Sequence, residues 1–345
     1  MRFGLIGCGW AGLLRAEAIA RMAEFHLVAV ADKDLPRARA LTDVYGAVVE
    51  SDWHTLVSRE DLDVVIVSTP PPFHPEMCIE ALEHRKHVLC EKPLARTPVE
   101  CRQILEAAER NNRLVATGFN YRFYPPIVKA REILDSGSIG ELDHIRSYAG
   151  HPGGSEFTHT WVHDVHVMGG GTLLDNGIHI IDLTRYFLGE VAEVKGYVTD
   201  RVWGFSGCED NGFALLRSPV GKVAFIQASW SEWRGYRFWI ELYGTHGCVR
   251  ASYPPMLTRV VWVDRSDGRR RSSIYLFPKL QLAEILRSYR WTGLQSFVQE
   301  LQAFTQAIQG KKTPLALGFD GLRAVQIAHA VYRSSANEGA VRLDD

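Results

Sequence analysis

The sequence predicts two domains: an α/β domain built on a parallel sheet, then a domain built on an antiparallel sheet. Three observations predict this. The chain has 345 residues, more than the about 250–300 at which a single core stops growing. Up to residue 118, short continuous apolar runs alternate with helical stretches, as in strands buried on both faces of a parallel sheet. From 191 to 277, short segments alternate apolar with polar residues between turns, as in antiparallel strands with one face covered.

The chain opens with an apolar strand at 2–6, the run Gly7-Cys8-Gly9-Trp10-Ala11-Gly12, and helical character over 13–22. This is G-x-G-x-x-G between a strand and a helix. That chemistry needs glycine for a tight turn, for close backbone approach to a pyrophosphate, and for helix packing. The N–H groups of the helix start then hold the phosphates. A second apolar strand at 27–31 ends at Asp32, about 20 residues beyond the last glycine. A carboxylate there accepts hydrogen bonds from the adenosine ribose diol and repels a 2′-phosphate, which favours NAD over NADP. Lys33, Arg37 and Arg39 lie close by and soften that preference. Gly7, Gly9, Trp10, Ala11, Gly12 and Asp32 are therefore expected to bind a dinucleotide. The plain alternative is a glycine turn with no ligand.

The alternation continues with a helix over 36–45 and strands at 47–49 and 63–68. The last of these ends in Thr69-Pro70-Pro71-Pro72-Phe73-His74, a rigid loop at a strand's carboxyl end, where open α/β sheets bind ligands. Thr69 and Pro70 are expected to face the cofactor, while His74 either contacts it or caps the helix over 75–83. The strand at 87–90 ends in Glu91-Lys92-Pro93. A lysine pinned there, partly desolvated beside a positive nicotinamide ring, suits proton transfer. The plain alternative is a surface lysine. A helix over 97–111 and a strand at 114–118 follow, and Phe119-Asn120-Tyr121-Arg122-Phe123-Tyr124-Pro125-Pro126 then breaks the alternation. The boundary falls here, giving domains 1–120 and 121–345, with the C-terminal helix able to pack back on the first.

The second candidate stretch runs from Gly169-Gly170-Gly171 through Asp175, His179 and Asp182. If it is helical, Asp175, His179 and Asp182 share one face and Leu174, Ile178 and Ile181 another. Histidine is the side chain that titrates near neutrality, and a carboxylate beside it can orient it. By itself an i,i+4 Asp/His pair is an ordinary polar helix face or half a metal site. Before it, residues 151–168 are irregular and carry His151, His159, His163 and His166. His163 and His166 are three apart, but no cysteine or glutamate constellation completes a metal site, so the expectation is a metal-free, substrate-facing loop containing Trp161, His163 and Asp164.

Strands are expected at 140–148, 191–200, 211–218, 222–232, 236–244, 248–253, 258–264 and 271–277. Alternation is clear in Val223, Phe225, Gln227 and Ser229 against Ala224, Ile226, Ala228 and Trp230. Helices are expected over 127–136, 294–310 and 320–338, the second with Phe297, Leu301, Phe304 and Ile308 on one stripe and the third capped by Asp320. The aromatics Trp230, Trp233, Tyr236, Phe238 and Trp239 read mainly as packing.

A net charge of -1 calls for neither nucleic acid nor an anionic membrane. No apolar run reaches the about 18 residues of a membrane span. Cys8, Cys78, Cys90, Cys101, Cys208 and Cys248 form no C-x-x-C pair, which suits a reduced, cytoplasmic protein. The glycines and Trp10 near the start favour a strand and turn over a leader peptide.

The glycine run, the Thr69-Pro70 loop with His74, Glu91-Lys92-Pro93 and the Gly169-to-Asp182 stretch have the order and spacing of one family, with Trp239-Ile240-Glu241-Leu242-Tyr243-Gly244-Thr245-His246-Gly247 as a weaker match. The chain resembles the Gfo/Idh/MocA oxidoreductases, the group of glucose–fructose oxidoreductase and inositol 2-dehydrogenase. The resemblance implies a Rossmann domain followed by an α+β domain with a large open, mainly antiparallel sheet. It implies that Lys92, Asp175 and His179 surround the nicotinamide ring as catalytic residues. Glu91, Lys92, His74 and Asn120 then join the cofactor-binding residues, and Arg122 joins Trp161, His163 and Asp164 on the substrate side. It also implies a cis bond before Pro93, and pairing into homodimers or homotetramers through the large sheet. The histidines before the triple glycine depart from the acidic-proline sequences common there, which leaves the substrate class open.

The expected activity is NAD(H)-dependent hydride transfer at a secondary alcohol, or its ketone, on a sugar, polyol or glycoside. Two alternatives stay open: a glycoside hydrolase or lyase that retains its NAD, and a non-catalytic NAD(H)-binding regulator.

Overall fold

The computed structural model describes residues 1–153, 161–287 and 290–343, the side chain of residue 287 excepted. The chain folds into two compact units, one of residues 1–120 with 287–323, the other of 121–286 with 324–345.

The first unit holds a six-stranded parallel sheet of β1 (Arg2–Ile6), β2 (His26–Ala31), β3 (Val48–Glu50), β4 (Val64–Val67), β5 (His87–Cys90) and β6 (Val115–Thr117). The order is β3-β2-β1-β4-β5-β6, so the chain reverses its winding between β1 and β4. That reversal opens a crevice at the strands' carboxyl ends, where such sheets take ligands. The continuous apolar runs are buried as their composition demands; all of Val64, Val65, Ile66 and Val67 are inaccessible. Helices Trp10–Ala20, Leu35–Tyr45, His74–Glu83 and Pro98–Arg110 supply crossovers, with a short helix at Trp53–Ser58. Pro98–Arg110 starts on a capping box: Glu100 N donates to Thr97 Oγ1 at 3.2 Å and Thr97 N to Glu100 Oε2 at 3.1 Å. Residues 287–323 return to this unit because the helix Arg290–Ile308 buries Phe297, Leu301 and Phe304 and packs on Trp10–Ala20.

The second unit is organised by a nine-stranded sheet. Its strands are β7 (Leu142–Gly150), β8 (Glu193–Thr199), β9 (Asn211–Arg217), β10 (Val223–Ser229), β11 (Arg237–Gly244), β12 (Gly247–Tyr253), β13 (Leu257–Val263), β14 (Arg270–Leu276) and β15 (Val341–Arg342). They are ordered β14-β13-β12-β11-β7-β10-β9-β8-β15, antiparallel throughout except for the β7–β10 pair. One face is covered, with helix Gly177–Leu188 against β7 and β10 and helix Pro125–Asp135 against β12 and β13. On β10, Ala224, Ile226 and Ala228 point into that core while Val223, Phe225 and Gln227 do not. The opposite face carries exposed apolar side chains, among them Tyr197, Leu215 and Val223.

Two features differ from what the sequence predicts. A further helix, Pro278–Arg287, follows β14, with Leu282, Ile285 and Leu286 exposed, so a buried stripe does not mark it. Asp320 lies inside the helix Gly318–Asn337 rather than at its cap, and its Oδ2 reaches back to accept from Leu317 N at 2.8 Å.

Candidate active site

In the first unit the glycine run performs three separate tasks. Gly7 has φ +92°, and a Cβ there would meet Ser68 O at 2.6 Å. A Cβ on Gly12 would meet Gly7 O at 2.0 Å, so the turn closes onto the helix only without one. Gly9 has open space around it and precedes the helix Trp10–Ala20 with no side-chain cap, so the N–H groups at that helix start face an uncluttered position. An anionic pyrophosphate fits this cradle on geometry and on the helix dipole. Trp10 is exposed beside it and Ala11 is half-buried. Asp32, at the end of β2, accepts from Cys8 N at 2.6 Å and from Asp34 N at 2.8 Å. Each carboxylate oxygen has two acceptor sites, so capacity for a ribose diol remains. Burial and then Asp32 push the Cys8 thiol up to about 12, which makes it a neutral packing group.

His74, Glu91 and Asn120 each have partners within the protein. His74 is inaccessible, with Nε2 2.7 Å from Thr69 O and Nδ1 3.0 Å from Pro93 O. Burial lowers its pKa, against the pull of those carbonyls. The ring is therefore a strut joining the Thr69-Pro70 loop to the Lys92-Pro93 turn. Glu91 accepts from Arg15 Nε at 2.9 Å and forms an ion pair with the same guanidinium, whose Nη2 lies 2.7 Å away. Arg15 is inaccessible, lies 4.1 Å from the Phe297 ring centroid, and also pairs with buried Glu300. Glu91 thus neutralises a buried cation. Asn120 is buried and donates to Ser296 Oγ at 2.7 Å. Lys92 is half-buried at the end of β5, and its bond to Pro93 is cis.

In the second unit the helix begins at Gly177, so Asp175 precedes it. Asp175 and His179 are therefore not one helical turn apart, contrary to the i,i+4 expectation. The cause is local. Gly171 O accepts from both Leu174 N and Asp175 N at 3.1 Å, Gly177 N reaches Thr172 O at 2.8 Å, and Thr172 Oγ1 bonds Asn176 Oδ1 at 2.7 Å. Asp175 Oδ2 instead accepts from Trp230 Nε1 at 3.2 Å and lies 3.3 Å from His151 Nε2. His179 is buried, and its ring stacks on Tyr121 with centroids 3.9 Å apart and planes 5° from parallel. Asp182 accepts from Arg122 at 2.8 Å (Nε to Oδ2) and 2.5 Å (to Oδ1).

The glycines ahead of Asp175 are clamped from below. Glu209 accepts from Gly171 N and Leu173 N, both at 2.7 Å, and from Tyr332 Oη at 3.1 Å. Burial pushes its carboxyl up to about 7, against the pull of those backbone N–H groups.

The expected substrate residues divide. Arg122 is buried in its ion pair with Asp182. Asp164 caps the short helix Val165–Met168 by accepting from His166 N at 2.9 Å. His163 stacks on Phe205 at 3.9 Å and meets Trp230 edge-on at 5.2 Å. Trp161 is exposed. His159 lies outside the described residues. Among the described residues, no group of three or more His, Cys, Asp or Glu side chains is arranged to hold a metal. Sequence reasoning did not single out Tyr121, Glu209 or Tyr332, and it read Trp230 as packing; their signal is a three-dimensional contact with no local pattern.

Family comparison places both units. The model of an oxidoreductase family with an NAD-binding Rossmann fold matches residues 1–119, and the GFO/IDH/MocA C-terminal domain model matches residues 127–250. The chain belongs to the Gfo/Idh/MocA family. It is an NAD-binding oxidoreductase of that family. The D-glucoside 3-dehydrogenase of Escherichia coli is 35% identical over 364 residues, covering 99% of this chain and 97% of the relative. The myo-inositol 2-dehydrogenase of Thermotoga maritima is 29% identical over 350 residues, covering 100% and 99%. Among solved structures, levoglucosan dehydrogenase in complex with NADH superposes with a TM-score of 0.86 at 25% identity, covering 100% of this chain and 99% of that one. An oxidoreductase domain protein from Kribbella flavida gives 0.85 at 27% identity, covering 99% of each.

Proposed function

We propose that this Gfo/Idh/MocA protein is a dehydrogenase that interconverts a secondary alcohol and its ketone on a sugar, polyol or glycoside. The observation that carries this reading is His179, buried, with its ring stacked on Tyr121, on the helix that follows the clamped Asp175 loop. Relatives that align end to end with this chain are named for inositol and D-glucosides, which supports the substrate class.

When bound, NAD supplies the hydride acceptor in oxidation and the donor in reduction. The chain supplies the rest. Residues 1–120 hold the dinucleotide, with Gly7, Gly9 and Gly12 shaping the phosphate site and Asp32 selecting NAD over NADP. The second unit holds the substrate. His179 takes the hydroxyl proton in oxidation and returns it in reduction. Lys92 hydrogen-bonds the same oxygen and stabilises negative charge developing on it. Asp175 orients the site and balances the lysine charge. His179 and Lys92 act as a coupled pair, so a pH–rate profile reports the site rather than one residue. Exposed Trp161 is assigned to the substrate side. The exposed apolar face of the nine-stranded sheet supports pairing of copies into a homodimer or homotetramer. Six free cysteines support a reduced, cytoplasmic setting, and among the described residues no helix is long and apolar enough to cross a membrane.

The test is NADH formation from NAD across myo-inositol, methyl glucosides and other polyols, with His179→Ala as the blank and product analysis in parallel. Turnover that vanishes in the variant is the expected result. Glycoside cleavage without NADH would instead favour the NAD-retaining hydrolase, and NAD binding with no turnover on any compound would favour the regulator.

A further inference from the structure

We infer that Tyr121 is a positioning residue for His179, a flat plate that fixes the plane of the imidazole and with it the direction of the proton-exchanging nitrogen. The inference rests on the reading of His179 as the proton exchanger.

Two neighbouring pairs set the geometry. Tyr121 and Arg122 are consecutive in a 3-10 turn, Asn120–Phe123. Their partners, His179 and Asp182, are three residues apart on helix Gly177–Leu188 and so lie on one face of it. Arg122 grips Asp182 with two hydrogen bonds at 2.8 and 2.5 Å, both side chains buried. That bidentate pair sets the turn against the helix in one register. Tyr121 is thereby delivered onto His179, centroids 3.9 Å apart and planes 5° from parallel.

The plate is itself held. The Tyr121 hydroxyl hydrogen-bonds the Tyr236 hydroxyl, and its ring stacks on Tyr124 at 4.6 Å and packs near Phe238 at 5.1 Å. Burial, with Asp175 adding to it, pushes the Tyr121 phenol up to about 12. The ring therefore stays neutral and exchanges no proton at neutral pH.

A histidine needs such a support. The χ2 torsion of an imidazole is broad and roughly two-fold, so backbone geometry alone leaves its ring plane loosely set. Misplacement of a reacting group by about 1 Å can cost a hundredfold in rate. A flat aromatic neighbour removes that freedom without supplying a competing hydrogen bond, and stacking also favours the cationic ring formed when His179 has taken a proton.

The experiment compares Tyr121→Leu, Tyr121→Phe, Tyr236→Phe and His179→Ala in the full-length protein, with NAD and either myo-inositol or methyl glucoside as the probe. Tyr121→Leu is expected to lower kcat about tenfold, leave KM for the probe and NADH affinity within about twofold, and raise the solvent deuterium isotope effect on kcat. Tyr121→Phe, which keeps the plate, recovers most of the loss. Tyr236→Phe gives a smaller loss, and it serves if Tyr121→Leu does not fold. A crystal structure of Tyr121→Leu supplies a readout apart from activity: the His179 ring leaves its plane or takes more than one orientation. An unmoved ring, or a kcat in Tyr121→Leu equal to wild type, overturns the inference. Equal losses in the Leu and Phe variants overturn it as well. His179→Ala separates the two levels. If it keeps normal turnover, the reading of His179 itself fails; if it is inactive while Tyr121→Leu is normal, only the positioning role fails.

Discussion

The two units hold their chemistry in different ways. In the first, the cradle is backbone: Gly7, Gly9 and Gly12 shape a turn, and Asp32 returns about 20 residues later to accept the Cys8 N–H. In the second, the candidate groups are side chains, each fixed by a residue far away in sequence: His179 by Tyr121, Asp175 by Trp230, the preceding glycines by Glu209. A backbone site is written in a short motif because glycine has no substitute there. A side-chain site can be supported by any element that reaches it, so its supports leave no spacing to read.

This contrast predicts where substitutions break each unit. The largest effect is expected from Arg15→Met. Arg15 is inaccessible between Glu91 and Glu300, and its loss leaves two carboxylates facing each other, one of them fully buried. Removing one partner of a buried ion pair costs about 3–5 kcal/mol. Urea unfolding measures it; a change under about 1 kcal/mol would mean the pair adds little to the first unit.

Lys92→Ala comes next, acting on chemistry rather than stability. Turnover should fall about 10²-fold or more, with NADH affinity little changed. Near-normal turnover would remove Lys92 from the mechanism.

The legibility of each feature follows from the same contrast. The parallel sheet, the glycine turn, Asp32 and the Glu91-Lys92-Pro93 turn are readable because apolar runs and glycine spacing are local. Their supporting partners are not. No local pattern shows that His74 bridges two carbonyls or that Glu91 holds Arg15. Asp175 looks helical because its spacing to His179 is four, yet the Thr172–Asn176 contact delays the helix to Gly177. Arg122 is expected on the substrate side from the family resemblance, and its pairing with Asp182 has no local signal. In each case the deciding partner is set by tertiary packing.

Glu209 sharpens the comparison through pH. Its carboxyl is raised from 4.5 to about 7 by burial, so the folded state holds that proton more tightly than the unfolded chain. The associated stability is fully present below about pH 4.5 and is lost as pH rises through about 7. Glu209→Gln should flatten that fall, seen as a smaller change of urea midpoint between pH 5 and 8 (about the window concerned). An unchanged slope would show that Glu209 does not titrate there.

The smallest effect expected is Thr97→Ala. It deletes one half of the capping box on helix Pro98–Arg110 and should cost about 1 kcal/mol, with turnover unchanged. A loss of turnover would tie this helix start to the site.

Proton exchange is assigned to His179 and cofactor binding to the first unit. Single-turnover formation of NADH, followed by stopped flow in wild type and His179→Ala at saturating NAD, tests it most directly. The variant is expected to bind NADH as wild type does and to form it about 10²-fold more slowly or not at all. Equal rates in the two proteins would contradict it.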